Sequence, residues 1–423
     1  MGSITYKIAL SSLLVVFTFG RIFSQDIESS YPVSFILEVQ NPLNECRIDA
    51  MLLIPEENIF KRYPHFNPRA FVVTSLGKEI PSQYNQHDAD HKGIVLVLDS
   101  IKANETAQIR VHYNKNGKDL PAYQKRTQAE ISHKVDGGFE NRKYIGGSFK
   151  NTKLLDLPTE HTDHSNFIRY EGPGWESDKV GYRFYLDWRN AVDVFGKKTP
   201  HLVLQDVGQD GFSSYHEMSP WGMDVLKVGE SLGIGSIAYL EGGKARRIDE
   251  VDSTVIVISE NGPLYSSIAT DYYGWKVDPV LDIKSNISIH AGSRLTNQII
   301  HMKGNGANLC TGIGKDENAK ILNSNGDKNE MGYLASYGVQ SLNSDKLGLA
   351  IFFSSSDFIE FTDDEFSHIV KLRESNGRVQ YYYLAAWELE PGGIADQASF
   401  TAYVEKAAKE LANPLKVSFL VHE

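Results

Sequence analysis

The chain has 423 residues, 41% hydrophobic and 23% charged, with a formal net charge of −11. That acidity disfavours nucleic acid and anionic membrane as partners, although arginines gathered at one place still admit an anionic ligand. The length exceeds one small core and predicts two domains, and two cysteines without a CxxC pair exclude a zinc ribbon or a thioredoxin-type motif.

Residues 1–24 have the pattern of a secretory signal peptide. Lys7 precedes a short apolar run at 8–19, Arg21 follows, and cleavage is expected near Ser24. The run is too short for a bilayer, which needs about 20 apolar residues, and no later segment is apolar enough to span. The mature chain is expected to be exported, periplasmic or secreted, and it loses two cations and no acid with the leader. Residues 25–135 form a first β-rich region. Short runs at 33–39, 70–74, 80–84, 93–98 and 107–113, with turn residues between them, predict a small N-terminal β-sandwich. The polar end of that region, 114–135, carries Lys115, Lys118, Lys125 and Lys134 and reads as a linker.

Residues 136–423 keep the β pattern and gain aromatics and glycine. Strands are expected at 254–259, 281–290, 296–302, 347–354 and 379–387. One helix stands out: Asp396 is its N-cap, Phe400, Val404, Ala407, Ala408 and Leu411 form its apolar stripe, and Asn413-Pro414 ends it. A weaker helical pattern covers 363–373. So many strands against one or two helices predict an all-β fold, with a large two-sheet sandwich as the catalytic domain. Cys46 and Cys310 lie far apart and read either as a disulfide or as two free thiols.

The densest signal is residues 180–189. Val180, Tyr182, Phe184, Leu186 and Trp188 alternate with Gly181, Arg183, Tyr185, Asp187 and Arg189. In a strand this makes one apolar face and one face of guanidinium, phenol and carboxylate groups. The second face reads either as a surface for an anionic, hydroxyl-rich ligand or as a salt-bridged face that satisfies itself. Just upstream, His161, Asp163 and His164 are of types that ligate metals or take protons, at a spacing that matches no strong metal signature. No cofactor is therefore predicted, and a divalent metal stays open. Arg169 and Tyr170 follow. The turn Gly172-Pro173-Gly174 then presents Trp175, either as a sugar-stacking platform or as a core plug. Tyr215 and His216 form a second dense point, with Trp221 nearby. His290 and His301 are weaker candidates.

Residues 170–190, with Gly172-Pro173-Gly174-Trp175 and Tyr182-Arg183-Phe184-Tyr185, resemble a known family, as do 193–197, 221–229 and 231–236. It is a family of exported proteins from polysaccharide-degrading bacteria, long catalogued as a domain of unknown function, which includes oligosaccharide dehydratases of ulvan breakdown. The specific motifs span roughly residues 141–240. The resemblance implies a large β-sandwich similar to galactose-mutarotase-like and polysaccharide-lyase folds, and a uronic-acid-containing, anionic oligosaccharide as substrate.

A uronate loses its C5 proton only when its carboxylate is neutralised, which suits Arg183 or Arg189. His164 or His216 is the expected base, and Tyr170 or Tyr215 the expected acid. Arg169, Trp175, Tyr185, Asp187 and Trp221 are the remaining substrate-binding candidates. Loss of a hydroxyl from C4 is dehydration, and loss of a glycosidic oxygen is a lyase reaction. A glycoside hydrolase using Glu171, Glu176 or Glu217, and a non-catalytic glycan binder, are the alternatives.

Overall fold

The computed structural model describes residues 27–304 and 306–420, so the segment read as a signal peptide lies outside the described residues. The chain forms two compact units. Among the described residues, the first comprises 27–86, 91–124 and 414–420, and the second 87–90, 125–304 and 306–413.

The first unit is a small antiparallel sandwich. Its five-stranded sheet runs Lys416–Phe419, Val33–Gln40, Thr106–Tyr113, Phe71–Ser75, Lys78–Ile80, and its three-stranded sheet runs Arg47–Pro55, Gly93–Ile101, Ser82–Asn85. Inward residues alternate along each strand, as Phe35, Leu37 and Val39 do, and meet Leu52, Ile54, Ile94 and Leu96 in one core. The chain's last strand is thus an edge strand of the first sheet, paired with Val33–Gln40.

The second unit is a larger all-β sandwich. A nine-stranded antiparallel sheet runs from Leu154–Asp156 to Ala319–Ser324, with Leu281–His290, Thr296–Lys303 and Arg378–Trp387 in its middle. One continuous core joins it to a six-stranded and a five-stranded sheet. The six-stranded sheet runs Gly222–Asp224, Val192–Lys197, Val180–Phe184, Gly174–Ser177, Thr127–Glu140, Lys143–Thr152. The C-terminal helix Gln397–Ala412 is as expected. Asp396 accepts the Ser399 N–H at 2.9 Å, and Phe400, Val404, Ala407 and Ala408 are buried against Tyr337 and Phe352. No helix among the described residues is long and apolar enough to cross a membrane. Cys46 and Cys310 are both free thiols.

Two expectations are corrected here. The helical pattern at 363–373 is a hairpin, Phe358–Asp363 with Ser367–Leu372, turned by Asp364 accepting the Phe366 and Ser367 amides. Val370 and Leu372 reach the main core from that hairpin and Ile369 a smaller cluster with Leu232 and Cys310, where β-branched side chains suit a pleated surface. The stretch read as linker holds, from Thr127 on, the first half of the long strand Thr127–Glu140. Its polar residues misled the reading because their partners lie inside the fold: Thr127 bonds the Gly262 carbonyl, and Glu130 pairs with Arg169.

The helix is held chiefly by Phe400, whose ring lies so close to Gly348 that a Cβ there would come within 2.2 Å. Phe400→Ala is expected to lower stability by about 3–5 kcal/mol. This would be read as a fall in denaturant midpoint, and a midpoint equal to wild type would rule the anchoring role out.

Candidate active site

The site grows from the strand Val180–Phe184. Tyr182 points into the main core, where its ring stacks on Trp175 at 5.6 Å and its hydroxyl donates to the Arg294 carbonyl at 2.7 Å. Arg183 points to the opposite face. That face is covered by a second, smaller core of Tyr170, Phe195, Val203, Leu204, Val207 and Tyr215. Arg183 is therefore 1% exposed. Cross-strand register places Asp193 directly opposite it, and Asp224 comes from the next strand over.

Every Arg183 donor is occupied. Nε donates to Asp193 Oδ2 at 3.1 Å, and Nη1 to the Tyr170 carbonyl and the Tyr215 hydroxyl, both at 3.0 Å. Nη2 donates to Tyr185 Oη and Asp193 Oδ2 at 2.8 Å and to Asp224 Oδ2 at 2.7 Å. Burial and the nearby Asp193 carboxylate push Asp224 well above the usual carboxylate range. The expected carboxylate clamp at Arg183 is thus corrected: its guanidinium is the hub of a buried network and has no donor left for a ligand.

The ten-residue strand is likewise shorter than its alternation implied. It ends at Phe184, and a turn closes with Asn190 N donating to the Asp187 carbonyl at 3.0 Å. This turn sends Arg189 back over Tyr185, 4.0 Å from its ring. Arg189 Nε donates to Asp187 Oδ1 at 2.9 Å, and Nη2 lies 2.7 Å from Glu171 Oε1 and 2.9 Å from Asp163 Oδ1. Its Nη1 has no partner among the described residues. Glu171 Oε2 stands 4.0 Å from Arg183 Nη1 and links the two guanidiniums. Burial pushes the Glu171 carboxyl up, but Arg189, Arg183 and His164 outweigh it and hold it below its ordinary value.

His164 belongs to the same knot. Its Nδ1 contacts Asp163 Oδ1, the oxygen that also takes Arg189 Nη2, and its backbone N–H donates to Glu171 Oε1 at 3.1 Å. The side chain is 55% exposed, and Nε2 has no partner among the described residues. His164, Asn166, Tyr170 and Glu171 all have positive φ (53°, 62°, 37° and 65°), which is uncommon for residues with a Cβ and recurs where the surroundings over-determine a functional loop. Gly172 lets this loop dock, since a Cβ there would sit 1.7 Å from the Phe184 carbonyl oxygen.

His216 borders the same patch from the turn Ser214–His216. Its Nε2 lies 3.4 Å from Asp224 Oδ2, and its ring also bonds the Phe212 backbone. Phe212 in turn packs edge-on against the His164 ring at 5.0 Å, so both histidines gather round one phenylalanine. Burial and then Arg183 lower the His216 pKa, which keeps the ring neutral near pH 7. Asp163, His164 and Glu171 offer ligand atoms within 4.8 Å of one another and could hold a metal ion. The Arg189 guanidinium already contacts two of them.

Other predicted residues are drawn inward. Tyr170 is buried and donates to Glu130 at 2.6 Å, and Tyr215 is buried with its pKa pushed by desolvation up to about 12. Neither hydroxyl reaches solvent, so the expected tyrosine acid is corrected. Arg169 pairs with Glu130 and donates to the carbonyls of Leu204, Gln205 and Val207. Trp175 is a core plug, with Nε1 donating to Thr296 at 2.9 Å. Trp221 is half-buried against Phe195, and Glu176 forms a fully buried pair with Lys197 at 2.6 Å. His290 and His301 lie apart, on the nine-stranded sheet. Sequence reading missed Asp193, Asp224, Glu130 and Phe212. Asp193 alone carried a signal, since it lies opposite Arg183 if the two strands form a hairpin.

The family described as Domain of unknown function (DUF4861) matches residues 39–417. No curated protein matches the chain. Among solved structures, a protein in glycosyl hydrolase family 38 from Enterococcus faecalis is 8% identical with a TM-score of 0.47, covering 92% of this chain and 48% of its own. An alpha-mannosidase from Enterococcus faecalis V583 is 7% identical with a TM-score of 0.47, covering 92% and 46%. This chain therefore spans about half the length of each.

Because Arg183 neutralises buried carboxylates, Arg183→Met is expected to destabilise the protein by about 3–5 kcal/mol. Arg189→Ala, nearer the surface, is expected to cost less. Chemical denaturation of both variants checks this, and equal losses would contradict the division between hub and rim.

Proposed function

The chain belongs to the DUF4861 family, and from that premise we propose that it is a carbohydrate-active carbon–oxygen lyase. In this reading it is a dehydratase that removes water from a terminal uronic acid of an ulvan-type oligosaccharide, leaving a 4,5-unsaturated uronate. The observation that carries the proposal is the shared oxygen Asp163 Oδ1. It holds His164 by Nδ1 and Arg189 by Nη2, which leaves His164 Nε2 and Arg189 Nη1 open.

An imidazole fixed through Nδ1 by a carboxylate has its tautomer set, with the lone pair on Nε2 for proton abstraction. The Arg189 donor binds the uronate carboxylate and stabilises the charge that builds there when C5 loses its proton, which is the larger catalytic term. The electron pair then forms the C4–C5 double bond as the C4–O bond breaks. The proton that His164 took from C5 passes to the departing oxygen, which leaves as water, while His216 borders the patch as a neutral imidazole. If a glycosidic oxygen occupies C4, the same steps cleave the chain, so the lyase is the neighbouring reading.

Arg189 brings positive charge to the point where Asp163, His164 and Glu171 would hold a metal. Activity is therefore expected to survive chelation by EDTA. Loss that a divalent ion restores would move the metal into the mechanism.

Incubation with uronate-terminated oligosaccharides is expected to yield a product lighter by one water with a new ultraviolet chromophore. Chain shortening with the chromophore would mean a lyase, and shortening without it a hydrolase. His164→Ala is expected to lower kcat by roughly 10²–10⁴-fold while the fold persists, because the side chain is half exposed. Turnover at the wild-type rate in that variant would sink the assignment of the base.

A further inference from the structure

A cavity of about 370 Å³ opens in the second unit beside Asp187, and most of its wall is unused by the chemistry above. Its size falls within the range of small-molecule pockets, about 300–1,000 Å³. Trp188 stands in its wall and is 48% exposed. Trp175, Trp275 and Trp387, by contrast, are fully buried. Trp188 is also held in place. Its turn is closed by Asn190 and by Arg189 N donating to Asp187 Oδ1 at 2.9 Å. The Arg247 guanidinium lies 5.6 Å from the indole and is itself fixed by the carbonyls of Gly229 and Ser231 at 3.2 and 2.9 Å. A rigid indole beside a cavity offers a ligand an apolar stacking face without ordering cost.

The polar wall narrows what that ligand is. His161 lies in it, nine-tenths buried, with Nδ1 bonded to Ser165 Oγ at 2.8 Å. Its Nε2 is buried without a hydrogen bond of ordinary geometry, and the Leu186 backbone is the ring's other polar contact. A buried polar atom in that state calls for a partner. The wall carboxylates already have cations of their own: Asp187 has Arg189, Asp249 has Arg246 at 3.0 Å, and Asp252 has Lys276 at 2.5 Å. The wall's one arginine, Arg142, donates to the His161 carbonyl at 3.3 Å and faces four wall carboxylates, Asp187, Asp249, Glu250 and Asp252, so acceptor oxygens and negative charge dominate the wall. That composition favours a ligand rich in hydroxyl donors and gives no advantage to an anion.

We propose that this cavity is a subsite for an uncharged saccharide ring, stacked on Trp188 and hydrogen-bonded by His161 Nε2 and the wall carboxylates. Its place in the oligosaccharide, next to the reacting uronate, rests on the elimination proposed above; the binding itself does not.

The test is saturation-transfer NMR on the whole protein with the methyl glycosides of glucose, galactose, mannose, rhamnose and xylose, and with glucuronate as the charged comparison. At least one neutral glycoside is expected to bind, with affinity about tenfold weaker in Trp188→Ala and partly restored in Trp188→Phe. Binding unchanged in Trp188→Ala, no binding by any neutral glycoside, or Trp188-dependent binding of glucuronate alone would each overturn the proposal. Binding is read without turnover, so a failed elimination assay leaves this result standing, and a failure here leaves the elimination assay intact.

Discussion

The arrangement of the site depends on a guanidinium that no solvent reaches. Arg183 sits between Asp193, Asp224, two tyrosine hydroxyls and a backbone carbonyl, and each of its five N–H bonds has an acceptor. A buried charge so placed is costly to desolvate and gains it back only if the geometry is complete. That requirement fixes the register of three adjacent strands, because any slip would leave Asp193 or Asp224 unpaired in the interior. It also fixes where the loop 161–171 can rest, since the Tyr170 carbonyl is one of the acceptors and Glu171 lies just beyond.

Other buried ion pairs fasten the covering segment over this hub. Glu176, neutralised by Lys197, accepts the amides of Val203 and Leu204, both at 2.8 Å. Arg169, neutralised by Glu130, takes the carbonyls of Leu204, Gln205 and Val207. One short irregular segment thus has its donors met by a carboxylate and its acceptors by a guanidinium. It needs no sheet partner to stay buried. Residues that look like ligand-binding groups in the sequence act here as backbone fasteners, and the accessible chemistry is left to His164, Arg189 and His216 at the rim.

Much of this was legible in the chain. The alternation through residues 180–184 marked a strand with two chemically different faces, and Asp396 with its apolar stripe marked the C-terminal helix. What alternation does not carry is exposure. The polar face of Arg183 looked like a surface because the segment that covers it starts some twenty residues later and has no periodicity of its own. Trp175 illustrates the same limit: the Gly-Pro-Gly run read as a turn is extended at Gly172 and leads into the strand Gly174–Ser177, and whether the indole faced water or core depended on Thr296, more than a hundred residues away. The hairpin at 358–372 failed for a different reason. Apolar residues that cluster at short spacing satisfy a helical stripe and a strand face equally well over so few positions.

The edge strand Lys416–Phe419 closes the first unit with the chain's final described residues, although that unit's other strands are made before residue 114. As the polypeptide emerges in order, Val33–Gln40 is left as an open sheet edge while nearly three hundred residues of the second unit follow. An unpaired edge of that kind is a template for the wrong partner. The first unit's buried core comes from residues 35–113, and the late strand adds Leu415, Val417 and Phe419, partly buried against it. Truncation of only the last residues therefore strips a strand from the part of the protein that was synthesised first.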